Sequence, residues 1–363
     1  MNKHCYLGLA AKNKGAFKYL FAHGTWKDFM ALEIYLQERY GGEAMLTKNG
    51  RSALTLALKA YFNKGDRIII NGFTCYAVYE AVKAAKMVPV FADISKDDLN
   101  FNTDTLKATL KEKPRGIIVQ NTLGNPVDMD EIEEFAKKHH LLIIEDLAHS
   151  AGVHYPDERE AGTVGVATVL SFGKDKSIDT VSGGAVVFRK KDRHKIKTPA
   201  YIPRVADALR ARMYPMLSSI CRGLSYVHLS GVAMRMFLAM HLIERSADNA
   251  LDTGCKPTKF QAKFALSQFK ELDSDGEPPL REYYFVDNRD EVLAKLRNAG
   301  YYFDGLWYEK PVSPARYYKS VEFPEEDCPV AVEVSKKIIN FPTYYKKEDL
   351  KTAQSIVRRY LSE

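Results

Sequence analysis

The strongest constraint on the fold is an alternation of short apolar runs with helical patterns along the first half of the chain. Strands are predicted at 67–71, 88–94, 116–121 and 141–146, and helices at 52–62, 76–85, 104–111 and 129–139. Strands that alternate with helices favour a mostly parallel sheet joined by right-handed crossovers. No glycine-rich dinucleotide-binding motif or P-loop joins a strand to its helix, which argues against both of those nucleotide-binding classes.

A second pattern, at 169–188, places two lysines between two predicted strands. The runs V-L-S-F and A-V-V-F are typical of buried strands, and the loop between them carries Lys174 and Lys176. Burial against apolar strands lowers the pKa of a lysine, because it disfavours the charged form, and the amine becomes a nucleophile. A Schiff-base lysine requires this property. On these residues alone, a solvated basic turn is the more common explanation.

Residues 141–152 form an apolar run that leads into a carboxylate and an imidazole, Asp146 and His149. Because open α/β sheets bind ligands at the carboxyl ends of their strands, both side chains are expected at the mouth of a site. A pyridoxal phosphate enzyme needs a carboxylate against the pyridinium nitrogen and a cradle of amides and hydroxyls for the phosphate. The turn at 49–54, N-G-R-S-A-L, opens an apolar helix and fits the second role.

Several motifs, in order and at matching intervals, resemble the DegT/DnrJ/EryC1/StrS family of sugar aminotransferases, which depend on pyridoxal 5'-phosphate (PLP). They are NGRSAL, VPVFADI, NTLGNPVDMDEI, IIEDLAHSAG, GTVGVATVLSF and SFGKDKSIDTVSGG. The resemblance is close over about 30–190 and looser over 256–362. It implies the α/β fold of the aspartate aminotransferase superfamily (fold type I), with a mostly parallel sheet in a large domain and a smaller C-terminal α+β domain.

The resemblance also implies roles for individual residues. In the family, a Ser-Phe pair is followed by three residues and then the Schiff-base lysine, which selects Lys176 rather than Lys174 as the catalytic residue. Ser171 falls where a serine contacts the cofactor phosphate. Asp146 falls on the carboxylate that pairs with the pyridine nitrogen, and His149 falls near the cofactor ring and its phenolic oxygen.

The chain departs from the family pattern at two places that the resemblance assigns to the cofactor site. The phosphate turn, formed by Gly50, Arg51 and Ser52, carries Arg-Ser where the family commonly has Thr-Ala, and it is still expected to bind the cofactor. The residue aligned with the family's stacking aromatic is Cys75, which has no ring. The stacking role therefore falls to Tyr76, with simple packing at the helix start as the alternative.

The activity implied by the resemblance is the transfer of an amino group from an amino acid, glutamate in most of the family, to a nucleotide-linked keto sugar. Amino sugars of this kind serve cell-surface polysaccharides or secondary metabolites. Family members usually build the site between two subunits, so a homodimer with shared active sites is expected. Two alternatives keep the same fold: a PLP-dependent sugar dehydratase-like enzyme, whose members typically replace the lysine by histidine, and a non-catalytic regulatory protein.

The expected domains are 1–246, a large PLP-binding domain with an N-terminal arm and a helical insertion at about 198–246, and 247–363, a small C-terminal domain. In the small domain, Trp307, Tyr308 and Arg316 crowd one loop. Such side chains suit stacking on a base or sugar and pairing with a phosphate of the substrate. Alternatively, the rings close the core of the small domain itself.

Residues 206–246 combine apolar stretches with arginines, which predicts basic amphipathic helices broken near Pro215 and Gly231. One explanation is packing on the core or on a second subunit, and the other is peripheral contact with an anionic membrane surface. The formal net charge of +7 would also suit nucleic acid, but the chain contains no nucleic-acid-binding motif, so none is expected as a partner.

Cysteine usage indicates the compartment. The five cysteines are scattered, without a C-x-x-C pair, which favours a reducing environment over a disulfide framework or a metal site. No signal peptide and no apolar run of about 18 residues is evident. A cytoplasmic location without bound metal is therefore expected.

Overall fold

The computed structural model describes residues 5–7, 19–201, 205–224, 227, 229–245, 249–275, 280–303, 306–343 and 347–361. The strands are β1 (Cys5–Leu7), β2 (Glu43–Thr47), β3 (Arg67–Asn71), β4 (Thr74–Cys75), β5 (Val88–Ala92), β6 (Gly116–Gln120), β7 (Leu142–Asp146), β8 (Ala167–Ser171), β9 (Gly184–Phe188), β10 (Arg281–Phe285), β11 (Tyr301–Phe303), β12 (Val312–Ser313) and β13 (Ile338–Pro342).

The helices that the structure describes are α1 (Trp26–Tyr40), α2 (Gly50–Tyr61), α3 (Tyr76–Ala84), α4 (Thr103–Thr109), α5 (Met129–Lys138), α6 (Val205–Leu224), α7 (Ser230–Ala239), α8 (Lys259–Asp275), α9 (Arg289–Asn298), α10 (Ala315–Tyr318), α11 (Pro329–Lys337) and α12 (Lys347–Arg358). None of these helices is long and apolar enough to cross a membrane.

A seven-stranded sheet with the order β2-β9-β8-β7-β6-β3-β5 forms the centre of the molecule. Strands β5, β3, β6, β7 and β8 pair in parallel, whereas β9 runs antiparallel to both of its neighbours. The predicted fold class, an α/β protein with a mostly parallel sheet, is confirmed. The predicted lysine-bearing hairpin is the β8–β9 pair.

The sheet is buried on both faces. Within β3, Ile68 and Ile70 pack in a core that includes α2 and α3, whereas Ile69 packs on the opposite face in a core that includes α1, α5 and α8. Successive strand side chains point to opposite faces, so both of these cores need apolar residues from the same strand. This explains why the parallel strands appear in the sequence as continuous apolar runs rather than as alternating ones.

The end of β7 is fixed by a buried ion pair. The Glu145 side chain is fully buried, and one of its oxygens lies 3.0 Å from Nη2 of Arg189. The same carboxylate accepts hydrogen bonds from the backbone N–H groups of Gly162 and Gly165, both at 2.6 Å. A buried carboxylate needs several donors to offset its lost hydration. These contacts hold the strand end that carries the next residue, Asp146.

The C-terminal residues form a smaller unit with its own core. Strands β10 and β13 pair antiparallel, and α9 and α12 pack together through residues such as Leu296 and Val357. Strand β12 pairs in parallel with β4, with Val312 opposite Thr74, which brings the preceding loop to the edge of the large sheet. Because α8 shares a core with that sheet, through Phe269 among others, the predicted boundary at residue 247 stays a prediction.

Helices α6 and α7 pack against each other in a separate cluster, and the pair is called the α6–α7 hairpin below. The predicted break near Pro215 is wrong, because α6 continues through this residue. A proline inside a helix removes one backbone hydrogen bond. Burial of Tyr214 and Leu217 on either side of it offsets that loss. The predicted break near Gly231 lies next to the start of α7 at Ser230.

Candidate active site

A cavity of about 550 Å³ lies at the carboxyl ends of the parallel strands. Three of its lining residues, Gln120, Asp146 and Ser171, are the last residues of β6, β7 and β8. Open α/β sheets bind ligands at this edge. The other walls come from the N-terminus of α2, the loop after β8, the loop before β12 and the α6–α7 hairpin.

The loop after β8 directs its two lysines to different partners, although both line the cavity. Asp175, which separates them, has a left-handed backbone with a φ of 61°. Lys174 donates a hydrogen bond to the carbonyl of Glu244, at the end of the α6–α7 hairpin. Lys176 instead places its Nζ 4.7 Å from the centre of the Trp307 ring. Lys174 is therefore tied to the hairpin, and Lys176 faces the aromatic wall of the cavity.

The surroundings of Lys176 favour its neutral form. Burial lowers the pKa of this amine, while negative charge at Cys75 and Asp146 opposes the effect and Arg281 adds to it. A lowered pKa leaves a larger fraction of the amine neutral near pH 7. The neutral amine is the nucleophilic form, so the environment suits a lysine that bonds to a carbonyl carbon.

Asp146 and His149 occupy the turn after β7, and both are buried. Asp146 accepts a hydrogen bond from the N–H of Ala148 at 3.0 Å; burial raises the pKa of its carboxyl group, and the positive charge of Lys176 opposes the rise. His149 accepts a hydrogen bond at Nδ1 from the N–H of Leu123 at 3.2 Å. Burial and the charge of Lys176 hold the pKa of His149 well below its usual value, so the ring is neutral near pH 7.

The N-terminus of α2 is pressed against the end of β8. A Cβ atom on Gly50 would lie 2.7 Å from the Cβ of Ser171, so only glycine permits this approach. A Cβ on Gly184 would lie 2.7 Å from the backbone of the residues that begin α2. Asn49 caps the helix by accepting a hydrogen bond from the N–H of Ser52 at 2.8 Å. A helix N-terminus with exposed N–H groups attracts anions, and this one faces the cavity.

Residues 249–252 cover the first turn of α2. Nη1 of Arg51 donates to the carbonyl of Asn249 at 2.6 Å and lies 2.9 Å from a carboxylate oxygen of Glu80. The Ser52 hydroxyl accepts a hydrogen bond from the N–H of Asp252 at 3.0 Å. Arg51 lines the cavity, whereas Ser52 does not.

The structure does not bring Tyr76 to the cavity. Its ring stacks on Tyr317, with a centroid distance of 4.4 Å and an interplanar angle of 12°. The neighbouring Cys75 lines the cavity instead. The aromatic surface that does reach the cavity is supplied from the opposite side, by the loop before β12.

That loop contributes Trp307 and Tyr308 to the lining, and Arg316 joins them from α10, just after β12. Tyr308 stacks on Phe73 with a centroid distance of 4.5 Å, and it adopts a left-handed backbone with a φ of 65°. Burial and the charges of Cys75 and Asp146 raise the pKa of Tyr308 well above its usual value. Its hydroxyl is buried with no hydrogen-bond partner among the described residues. Buried hydroxyls are normally satisfied, so this group fits a site that a ligand completes.

Arg281 is a part of the site that the sequence pattern did not reveal. It is buried, and the carbon of its guanidinium lies 3.9 Å from the centre of the Trp307 ring. Its Nη1 donates to Oδ1 of Asn340 at 2.8 Å. The only local signal was an arginine at the start of a predicted strand, and its amide partner lies 59 residues further along the chain.

Comparison with known proteins decides the family. The model of the DegT/DnrJ/EryC1/StrS aminotransferase family matches residues 30–203. A candidate L-glutamine:3-amino-2,3-dideoxy-scyllo-inosose aminotransferase of Micromonospora echinospora is 32% identical over 296 residues, which are 76% of this chain and 67% of that protein. The chain belongs to the DegT/DnrJ/EryC1/StrS aminotransferase family.

Other members of the DegT/DnrJ/EryC1/StrS family match over shorter stretches. The GDP-perosamine synthase of Escherichia coli O157:H7 is 31% identical over 158 residues, and the match spans 43% of each chain. The chain thus spans less than half the length of this relative. Among solved structures, a candidate sugar aminotransferase of Streptococcus pneumoniae in its PMP form has a TM-score of 0.69 at 17% identity, with 98% of each chain covered. This similarity extends the family fold over nearly the whole chain.

The residues expected from the family pattern separate into two groups. Those that line the cavity are Gly50, Arg51, Asp146, His149, Ser171, Lys176, Trp307, Tyr308 and Arg316. Ser52 and Tyr76 lie outside its lining. Within the family fold, the chain thus combines one amine of lowered pKa, one buried carboxylate and one helix N-terminus around a single cavity.

Proposed function

We propose that this protein is a PLP-dependent aminotransferase that moves an amino group from an amino acid, glutamate being the expected donor, to the keto group of a nucleotide-linked sugar. The observation that carries the proposal is the shared cavity of Lys176 and Asp146 beside the N-terminus of α2. These three features supply the amine, the counter-charge and the anion site that PLP requires. Family membership supports the same activity.

The residues present fit the cofactor. The cavity of about 550 Å³ has room for PLP and part of a substrate. At Gly50, a side chain would fill the space between α2 and Ser171, so the glycine keeps the backbone N–H groups open to a phosphate. Gly50, Arg51 and Ser171 would hold the phosphate, and Asp146 would pair with the pyridine nitrogen. The unpartnered hydroxyl of Tyr308 would gain a partner from a ligand in this cavity.

When bound, PLP acts as an electron sink that lets the carbon bearing the amino group lose a proton. Lys176 is the residue suited to move that proton, because burial lowers its pKa and so favours the neutral amine. Asp146 needs its negative charge for this chemistry. Burial alone raises the pKa of its carboxyl group, and the hydrogen bond from the N–H of Ala148 opposes that rise.

His149 and the aromatic wall orient rather than react. The Nδ1 atom of His149 is occupied by the N–H of Leu123, so Nε2 carries the proton and donates toward the cavity. Trp307 offers a flat face within the cavity, and its ring centroid lies 5.5 Å from that of His149. At this distance no planar ligand fits between the two rings, so together they form one aromatic side of the cavity.

The kind of substrate that accepts the amino group is inferred from the family and from the cationic side chains that line the cavity. Lys48, Arg51 and Arg210 line it in ion pairs with Asp207, Glu80 and Glu244. Arg245 and Arg316 line it as well, and guanidinium groups suit a substrate that carries a diphosphate. A relative named GDP-perosamine synthase supports a nucleotide-linked sugar as the acceptor. We expect the working unit to be a homodimer, as inferred from the family.

The test follows the two half-reactions separately. The purified protein is loaded with PLP, its absorbance spectrum is recorded, and glutamate or glutamine is added without acceptor. Conversion of the bound cofactor to its amine form, with release of one oxo acid per site, is the expected result. A panel of nucleotide-linked keto sugars is then supplied, and mass spectrometry identifies the product. An aminated sugar supports the proposal, whereas a dehydrated sugar, or a spectrum that no donor changes, would overturn it.

A further inference from the structure

The α6–α7 hairpin exposes an apolar face that the rest of the described chain does not cover. Eight of the fourteen exposed large apolar side chains lie between residues 205 and 240. On the two helices they are Val205, Leu209, Ile220, Val232 and Met236, which we call the exposed stripe. Val205 is 84% exposed and Val232 is 62% exposed, so these residues contribute nothing to the core of the chain.

The stripe is a second apolar face, distinct from the one that packs. In α6, Tyr214 and Leu217 are buried, and in α7 Ala233 and Phe237 are buried. At 100° per residue, Leu209 lies about 80° or more from every buried residue of α6, and Val232 lies about 100° or more from those of α7. A helix that is apolar on two sides normally has a neighbour on both. Exposed apolar patches of this kind mark interaction sites.

The charges of the hairpin are almost all positive. Residues 205–245 contain five arginines and two acidic residues. Both acids are paired within the chain: Asp207 lies 2.9 Å from Nζ of Lys48, and Glu244 pairs with Arg210. Arg235, beside the stripe, is exposed, and so is Arg245, which lies at the end of the hairpin and also lines the cavity. The described part of the hairpin therefore offers exposed cations without a free carboxylate.

We propose that the exposed stripe and its arginines bind an anionic phospholipid surface, with the α6–α7 hairpin lying flat in the headgroup region. Amphipathic helices with basic residues beside an apolar face bind membranes in this way. Anionic headgroups attract the arginines, and the apolar side chains enter the boundary of the acyl chains.

A second copy of the chain is the competing occupant, and the charges disfavour it. A two-fold interface brings the same patch of both copies together. A two-fold contact through the stripe would bring Arg235 of both copies to one interface, and the two acids of the hairpin are already paired among its described residues. Like charges across an interface cost free energy. An anionic lipid surface meets the same arginines with opposite charge.

The hairpin is also a wall of the active-site cavity, so lipid binding through the exposed stripe would affect where the active site lies. Tyr214, Met234, Leu238 and Ile243 of this region line the cavity that also contains Lys176. The hairpin therefore separates the cavity from the exposed stripe. Binding through the stripe would hold the active site next to the lipid surface.

The test uses the full-length protein loaded with its cofactor. It is sedimented with vesicles of phosphatidylcholine alone and with vesicles that also contain phosphatidylglycerol. Binding to the anionic vesicles only, with affinity that falls as salt is added, is the expected result. The double variant V232E/M236E should bind the anionic vesicles about tenfold more weakly or worse, because it removes apolar anchors and adds negative charge.

The matched control is M30E/I34E. Both residues belong to the apolar positions that α1 exposes, at 58% and 50%, and α1 also carries Asp28, Glu33 and Glu38. This control should bind vesicles as the unchanged protein does, and circular dichroism should show both variants folded. Equal loss in both double variants, or no sedimentation of the unchanged protein with anionic vesicles, would overturn the proposal. So would a stripe variant that changes the oligomeric state in lipid-free solution, since this result assigns the stripe to a second copy.

Discussion

Lys176 places its amine 4.7 Å from the centre of the Trp307 ring. Trp307 lines the cavity and Arg281, whose guanidinium carbon lies 3.9 Å from the same ring, does not, so the indole stands between the cavity and the buried arginine. Cations over an indole face are stabilised by the negative charge density of the ring. The tryptophan therefore stabilises the charge of the buried Arg281 and separates this arginine from the amine of Lys176, which is available for chemistry.

This arrangement predicts the effect of Arg281→Met. The charge of Arg281 lowers the pKa of Lys176, so its removal should raise that pKa. The rate at which the cofactor-free protein takes up PLP should then reach its half-maximal value at a higher pH. Folding stability should fall by about 1–3 kcal/mol, because Asn340 loses its buried donor. An unchanged or lower midpoint would contradict the electrostatic role of Arg281.

The close approach of α2 to β8 predicts the effect of Gly50→Ala. The new Cβ would meet the Cβ of Ser171 at 2.7 Å, and neither backbone segment is at a free end. The variant should lose about 1–3 kcal/mol of stability, as overpacked sites do, and it should bind PLP more weakly. Urea unfolding and a cofactor titration measure the two effects.

Gly223→Ala is the matched control for this change. Gly223 lies in α6, and a Cβ there would have no atom within 4 Å. The control should gain about 0.5–1 kcal/mol from its higher helix propensity and leave PLP binding unchanged. If both alanine variants bind PLP as the unchanged protein does, the close contact of Gly50 has no role in the cofactor site.

The raised pKa of Asp179, in the loop between β8 and β9, predicts that the free energy of unfolding depends on pH. Burial and the charge of Asp175 raise the pKa of Asp179 to about 7. The unfolded value is near 4, so the folded state binds the proton more tightly over the range between them. The stabilisation from this group, on the order of 4 kcal/mol, is fully present below about pH 4 and is lost as the pH rises through about 7.

Urea unfolding at several pH values measures this effect against Asp179→Asn. The variant has no titrating carboxyl at this position, so its stability should fall less than that of the unchanged protein between about pH 4 and 7. The two carboxylate oxygens of Asp179 accept the backbone N–H groups of Val181 and Asp175 separately, and asparagine keeps only one such oxygen, so a constant offset is expected. Parallel pH profiles for the two proteins would show that Asp179 is ionised throughout.

The sequence predicts those features whose cause is local. The strands were recognisable because three consecutive isoleucines, Ile68, Ile69 and Ile70, serve cores on both faces of the sheet. The two lysines could be told apart only through the family register. The structure adds a physical reason, a left-handed Asp175 between them.

Features that depend on distant contacts were not predictable. Ser52 is drawn away from the cavity by Asp252, two hundred residues later, and Tyr76 by Tyr317. A break at Pro215 is predicted because helix propensity reflects the hydrogen bond that proline removes. It does not include the burial of the neighbouring side chains, which stabilises the helix. In each case the contact that determines the structure is made by a distant part of the chain, so no local sequence pattern predicts it.

The most direct test of the proposed function is to find which amine carries the cofactor. Borohydride reduction of the PLP-loaded protein makes the attachment permanent, and tandem mass spectrometry of the peptides locates it. We expect the modification at Lys176, its loss in Lys176→Ala, and its persistence in Lys174→Ala. A modification at Lys174, or a protein that retains no PLP at either residue, would contradict the assignment of this cavity as a PLP site.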